Sequence, residues 1–251
     1  MDFKKLSILM PMYNEEARAA SNILETDGYF KEMGIQYEII VVDDGSKDMT
    51  FPNAATMQKE HIKIQKMSRN QGKGQALKEA FKHATGDIIM FLDGDLDIHP
   101  RQFKVLFDVM DKENADVVIG AKRHPDSVLH YPVKRKIISA GYFLMVKIMF
   151  GLPLSDTQTG IKIFKREVLD KVFHRVLIKR YAFDLELLVL AHHYGFKISE
   201  GPVVVDYKGN FGRIKFKTIF KMAWDTVAVL YRLKIKHYYD KIKTDMESNK
   251  K

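Results

Sequence analysis

Three carboxylates, Asp93, Asp95 and Asp97, stand at alternate positions directly after an apolar run at 88–92. The run has the length and composition of a strand buried on both faces, so the acids arrive together at the edge of a sheet. Three like charges this close repel one another unless a cation sits between them. A hard divalent ion, Mg²⁺ or Mn²⁺, takes oxygen ligands and leaves positions for water and substrate phosphate. An acidic turn bent at Gly94 would account for one such residue, but three at this spacing ask for more.

Two further strand-like runs end in polar clusters. Residues 6–10 read as a strand stopped by Pro11, and Tyr13, Asn14, Glu15 and Glu16 follow at the mouth of a helix that they could cap. Residues 37–42 read as a second buried strand, ending in Asp43-Asp44-Gly45-Ser46. One of these aspartates could hydrogen-bond a base or ribose while the other organises the turn. Asn70-Gln71-Gly72-Lys73-Gly74 precedes a helix predicted over 75–83. Its glycines allow close backbone approach, and a lysine beside a helix N-terminus suits a diphosphate, although the Walker spacing is absent. Another strand is expected at 116–120, with Lys122, Arg123 and His124 gathering positive charge after it. Strand and helix alternate throughout, which predicts an α/β fold with a mostly parallel central sheet flanked by helices.

The 251 residues suffice for one large domain, and without cysteine neither disulfides nor thiolate metal sites are available, which fits a reducing compartment. No secretory signal is expected at the N-terminus. The net charge of +9 suits nucleic acid, an anionic membrane surface or phosphorylated substrates. Lys134-Arg135-Lys136 leads into an apolar stretch at 137–150, short of the about 20 residues needed to cross a bilayer, so an interfacial helix at about 134–150 or an ordinary core helix is expected. A polar loop at 156–160, a strand at 161–164, a helix opening at 181–188 and a last strand at 198–207 follow. Asp184 and Glu186 stand where the helix dipole alone would favour acids. From Arg213 the chain is basic and aromatic, and helical spacing puts Ile219, Met222, Ala223, Thr226, Val227, Leu230 and Leu233 on one stripe, as in a helix lying on a membrane surface. No nucleic-acid module accompanies these charges, so no nucleic-acid partner is expected. The chain divides into a catalytic domain at 1–212 and a basic amphipathic helical tail at 213–251.

Together, Pro11-Met12-Tyr13-Asn14-Glu15, Val42-Asp43-Asp44-Gly45-Ser46, the 70–74 segment and Asp93-Gly94-Asp95-Leu96-Asp97 resemble the inverting family 2 glycosyltransferases of the GT-A fold. Within that family the chain is most similar to polyprenyl-phosphate sugar synthases such as the dolichyl-phosphate mannose and glucose synthases, over about residues 5–235. The resemblance implies that Pro11, Tyr13, Glu15 and Asp43 hold the nucleotide, together with Asn14 and Asp44 of the same clusters. It implies that Asp93, Asp95 and Asp97 hold the metal and through it the diphosphate, with Asp95 essential to transfer and Lys73 assisting departure. Many relatives carry Gln where this chain has Asp97. The acceptor phosphate maps onto Arg135, Ser139 and a basic residue after Gly120, which leaves Lys122 and Arg123 as alternatives. The expected reaction moves a hexose from a nucleotide diphosphate sugar, with UDP-glucose favoured by the 156–160 and 181–188 segments, to a polyprenyl or dolichyl phosphate. The expected location is the cytoplasmic side of a membrane, with peripheral attachment or a membrane partner protein. GDP-mannose as donor, a polysaccharide acceptor, or a nucleotide-sugar-binding scaffold without turnover remain the alternatives.

Overall fold

Unbroken apolar runs become strands covered on both faces, and the computed structural model follows that rule closely. It describes residues 3–129, 133–180, 182–206 and 216–241, with the side chains at 133–140, 142 and 216–219 excepted. The first half runs β1 (Leu6–Met12), α1 (Ala19–Met33), β2 (Tyr37–Asp43), α2 (Thr50–Ala55), β3 (Ile62–Lys66), α3 (Lys73–Phe81), β4 (Ile88–Leu92), α4 (Gln102–Glu113) and β5 (Val117–Gly120). The second half runs β6 (Val128–Leu129), α5 (Val133–Phe150), β7 (Ile161–Lys165), α6 (Arg166–Val172), α7 (Phe183–His193), β8 (Ile198–Gly201), β9 (Val204–Val205), α8 (Phe216–Leu230), a π-helical turn (Tyr231–Ile235) and α9 (Tyr238–Lys241).

Seven strands form one sheet in the order β3-β2-β1-β4-β7-β5-β8, and β6 and β9 form a small second one. All pairings in the large sheet are parallel except those of β7, which runs antiparallel between β4 and β5. Alternate residues of each strand feed opposite layers. Leu6, Ile8, Met10, Ile88 and Met90 pack with Ile23, Phe30, Phe103 and Leu106 of α1 and α4. Leu9, Ile40, Ile89 and Phe91 pack on the other face with Leu77, Leu169, Phe183 and Leu187 of α3, α6 and α7. This is the α/β architecture expected from the sequence.

Several boundaries differ from the sequence expectation for physical reasons. Pro11 does not stop β1, which pairs with β2 as far as Met12 and Asp43. The pairing with β4 ends earlier, at Leu9 and Phe91, so the proline has no ladder donor to supply on that side. Neither α2 nor β3 was expected, because β3 is a short edge strand whose exposed positions are polar. The expected last strand at 198–207 divides at Pro202: β8 joins the large sheet and β9 pairs with β6. Residue 207 lies outside the described residues, as does Tyr181.

The stripe expected along the tail also divides. Thr226 and Leu233 are buried against the domain together with Val229, whereas Val227 of the expected stripe is exposed beside Phe220, Trp224 and Tyr231. Of that stripe, the side chain of Ile219 lies outside the described residues. No helix among the described residues is long and apolar enough to cross a membrane.

At the amino edge of the sheet, Glu38 is 1% exposed and ties three segments together. It accepts from Ser7 Oγ at 2.7 Å, from the Thr85 amide at 2.6 Å and from Lys63 Nζ at 3.0 Å. Burial pushes its carboxyl up, but these donors together outweigh that and hold it at about 2, against 4.5 for a free glutamate. Its stabilising effect is therefore complete above pH 4.5 and fades as pH falls toward 2. Glu38→Gln is expected to cost about 1.5–3 kcal/mol at pH 7, and denaturant unfolding should show the gap from the parent narrowing at pH 3; an unchanged gap would contradict this account.

Candidate active site

The ends of β1, β2 and β4 lie at the carboxyl edge of the parallel strands, where open α/β sheets put their ligands. At the end of β1 the chain turns through Asn14, whose φ of +54° lies in the left-handed region that asparagine tolerates. Asn14 donates its amide to Ser46 Oγ at 2.9 Å and accepts from the Lys47 amide at 3.2 Å. Glu15 donates its amide to Thr50 Oγ1 at 2.7 Å, and Glu16 accepts from the Met49 amide at 3.1 Å. These residues knit the β1 and β2 loops together rather than capping α1, whose N-terminus carries no side-chain cap. Burial pushes the Glu15 carboxyl up, Arg18 opposes that, and Asp97 and Asp48 add to it. Tyr13 is 41% exposed beside them.

The paired aspartates after β2 have separate tasks. Asp43, fully buried, accepts from the Ser46 amide at 3.1 Å and from the Ser46 hydroxyl, and so closes its own turn. Asp44 spends its two oxygens on the Gln71 and Gly72 amides, each at 2.7 Å, and so positions the 70–74 loop. Gly45, at φ +68°, passes against the Arg69 backbone, where a Cβ would come within 2.5 Å.

Lys73 opens α3 and reaches Asp93 Oδ1 at 2.7 Å. Its Nζ is also 3.9 Å from Asp184 Oδ2, and Asp184 Oδ1 meets Lys162 Nζ at 2.7 Å. Lys162 is 1% exposed and donates at 2.6 Å to the carbonyl of Thr159. Burial pulls the Lys73 ammonium down, but Asp184 and Asp93 overcome this and hold it above the usual lysine range. Burial likewise raises Asp184, and Lys162 with Lys73 reverses that, so its carboxylate stays ionised. The Lys162 ammonium is lowered by burial despite Asp184.

Asp93 is held from behind as well. Its amide donates to Gly160 O at 3.1 Å, and a Cβ on Gly160 would lie 2.5 Å from Asp93 Oδ2. Leu96 adopts φ +51° with its side chain 1% exposed, so burial of an apolar group holds a strained loop with Asp95 and Asp97 on either side. Burial, then the charges of Asp93 and Asp97, push the Asp95 carboxyl up to about 7, against a weaker opposing bond from the Asp97 amide.

No three carboxylate or imidazole groups converge on one point among the described residues, so the three aspartates share a loop rather than a preformed cage. The loop still suits a divalent ion. Its donors are all oxygens, the Oδ1 of Asp93 has the Lys73 ammonium at 2.7 Å, and Asp95 is crowded by like charge. Magnesium is commonly held by one or two carboxylates plus substrate phosphates. One or two of these aspartates, completed by a diphosphate, meet that requirement.

The basic residues after β5 are already engaged. Lys122 lies 3.5 Å from Asp156 Oδ2, and the Arg123 guanidinium stacks 4.9 Å above the ring of Phe143 on α5. The side chains of Arg135 and Ser139 lie outside the described residues, although their backbone is part of α5. Lys162 and Asp184 were missed as site residues. The signal was present in Ile161-Lys162-Ile163-Phe164, since a lysine inside a buried strand requires a carboxylate from elsewhere.

Residues 7–173 match the family described as Glycosyl transferase family 2. A dolichyl-phosphate beta-glucosyltransferase of Trichomonas vaginalis is 32% identical over 235 residues, covering 89% of this chain and 72% of that one. A dolichyl-phosphate beta-glucosyltransferase of Dictyostelium discoideum is 30% identical over 242 residues, covering 90% and 74%. Among solved structures, glucosyl-3-phosphoglycerate synthase from Mycobacterium tuberculosis in complex with Mn²⁺, uridine diphosphate and phosphoglyceric acid superposes with a TM-score of 0.69 at 20% identity, covering 91% of this chain and 78% of that one. Its fold is the GT-A arrangement anticipated from the motifs, and the chain belongs to glycosyl transferase family 2 as a hexosyltransferase.

Proposed function

We propose that this transferase moves a hexose, with glucose favoured, from a uridine diphosphate sugar to a dolichyl or other polyprenyl phosphate with inversion at the anomeric carbon. The observation that carries the reading is the meeting of Asp93, Asp95 and Lys73 at one sheet edge, which offers acids for a cation and an ammonium for a diphosphate. The names of the relatives support the acceptor and the sugar, and the Mn²⁺ and uridine diphosphate bound in the structural neighbour support the donor and the metal. GDP-mannose as donor and a polysaccharide as acceptor are the readings this one competes with.

Asp93 and Asp95 would hold Mg²⁺ or Mn²⁺, with Asp97 adding charge beside them. When bound, the ion supplies neutralisation of the departing nucleoside diphosphate. Lys73 brings a second positive charge to the same oxygens once Asp93 is otherwise satisfied. Pro11, Tyr13, Asn14, Glu15 and Asp43 would line the nucleotide end of the cleft, and Asp44 serves it through the 70–74 loop. A lipid monophosphate is already anionic, with a second ionisation near about pH 6, so attack needs orientation more than a strong base. Arg135 and Ser139 would orient it. Positions 135, 139 and 143 recur at four-residue intervals on α5, and the stacking of Arg123 on Phe143 favours Arg123 over the Asp156-paired Lys122 as their partner.

Attachment would be peripheral, on the cytoplasmic side of the membrane. Leu144, Ile148, Phe220, Trp224, Val227 and Tyr231 expose apolar surface, and Lys147, Lys221 and Lys234 lie on the same helical elements. Anionic lipid attracts each such lysine by about 1 kcal/mol. A membrane partner protein covering the same surface is the alternative.

The deciding experiment supplies purified protein with Mn²⁺, a short polyprenyl phosphate and, in parallel, UDP-glucose, UDP-N-acetylglucosamine and GDP-mannose. A lipid-extractable product from UDP-glucose that disappears on chelation is expected; no lipid product from any donor, despite nucleotide binding, would overturn the acceptor. Asp95→Asn should lower turnover by about 100-fold or more, and full turnover in that variant would remove the metal assignment. Gly160→Ala, which pushes on Asp93, should weaken Mn²⁺-dependent nucleotide binding by about tenfold with little change in Tm. Arg135→Ala should raise KM for the lipid phosphate far more than KM for the sugar nucleotide, a split that steady-state kinetics reads directly.

A further inference from the structure

The α7 helix carries a second acid whose role the chemistry does not absorb. Glu186 is fully buried one turn after Phe183, and it accepts bonds from two directions. Its Oε2 takes the amides of Leu177 at 2.9 Å and Ile178 at 2.6 Å. Its Oε1 takes Arg232 Nη2 at 3.0 Å and the Tyr239 hydroxyl. Arg232 Nε in turn donates to Tyr239 Oη at 2.8 Å. One carboxylate therefore joins the C-terminal segment to the 177–178 backbone, and the helix dipole alone explains neither set of bonds.

The 177–180 segment is the wall against which the Lys73 loop is built. Lys179 O accepts the Gly74 amide at 3.0 Å, and Arg180 Nη2 donates to Asn70 O at 3.2 Å. A Cβ on Gly72 would drive into the Lys179 carbonyl, and one on Gly74 into the ring of Phe183. Both glycines are thus cut to fit elements that Glu186 holds in place. Lys73 lies between them and forms the 2.7 Å pair with Asp93.

We propose that Glu186 is a positioning residue for the donor end of the site, acting through 177–180 on the 70–74 loop, and that Arg232 and Tyr239 make this positioning depend on docking of the C-terminal segment. That segment also carries the exposed Trp224 and Tyr231, so the surface proposed to meet the membrane and the loop proposed to meet the diphosphate share one buried carboxylate. The inference rests on the functional reading above for its ligand, but not for its local mechanics.

The test compares the parent with Arg232→Gln, Tyr239→Phe and Arg232→Lys, using two readouts: calorimetric binding of uridine diphosphate with Mn²⁺, and hydrogen exchange of the amides at 70–74. Arg232→Gln should weaken binding by roughly 2- to 30-fold, the span of couplings carried through packed networks, and should speed exchange at Gln71, Gly72 and Gly74. Tyr239→Phe, which removes only a hydroxyl, should do the same to a smaller extent, and Arg232→Lys should restore part of both effects. Unchanged affinity together with unchanged exchange at 70–74 in Arg232→Gln and Tyr239→Phe would overturn the inference. Failure of the parent itself to bind uridine diphosphate would count against the functional reading alone, and loop exchange would then decide the positioning role.

Discussion

A lysine enclosed in an apolar strand is the constraint from which this site is built. Lys162 is 1% exposed, between Ile161 and Ile163 in β7, and water cannot solvate its charge there. Asp184 meets it at 2.7 Å, Lys73 meets Asp184 at 3.9 Å, and Asp93 meets Lys73 at 2.7 Å. Charge therefore alternates from the core outward, and removing Asp184 leaves Lys162 buried without a carboxylate, a cost of about 3–5 kcal/mol in comparable pairs. The alternation ends at Asp93. Beyond it stand Asp95, Asp97 and Glu15, which repel one another. The core is balanced and the rim is negative, so the rim is where a cation belongs.

Much of this was legible in the sequence because the relevant signals are local. Buried strands announce themselves as unbroken apolar runs; Asp43 closes its strand, Asp93 directly follows its own, and Lys73 directly follows the loop that positions it. The division of labour within the clusters around them was not legible. Asp43 and Asp44 are neighbours with the same chemistry, and only the arrival of the Gln71 and Gly72 amides 27 and 28 residues later assigns Asp44 to loop support. Asp184 and Glu186 looked like ordinary first-turn acids for a similar reason, since their partners lie on β7 and in the C-terminal segment.

The tail shows where helical spacing underdetermines a surface. The expected stripe included Thr226, Val227 and Leu233, and all three fit the period of a helix. The domain captures Thr226, Val229 and Leu233, which turns Val227 outward with Phe220, Trp224 and Tyr231. The buried bonds of Arg232 and Tyr239 to Glu186 fix that rotation, and neither is an apolar residue that a stripe would register. A helix with apolar groups most of the way round can be laid down in several rotations, and its few polar anchors choose among them.

The antiparallel course of β7 bears on how the chain is made. Because β7 enters the sheet from the carboxyl edge, the 156–160 loop reaches Asp93 directly, and β4 and β5 become joined only when this strand is in place. A ribosome that has released β4 and β5 has therefore produced two apolar strands with facing sides unpaired, some forty residues before their common partner emerges from the end of α5 onward. Open strand edges are sites of misassociation, and pairings between distant segments form slowly. The nascent chain thus passes through its most aggregation-prone interval while the basic, apolar α5 is being synthesised, and the acidic centre closes in the same event that seals the sheet.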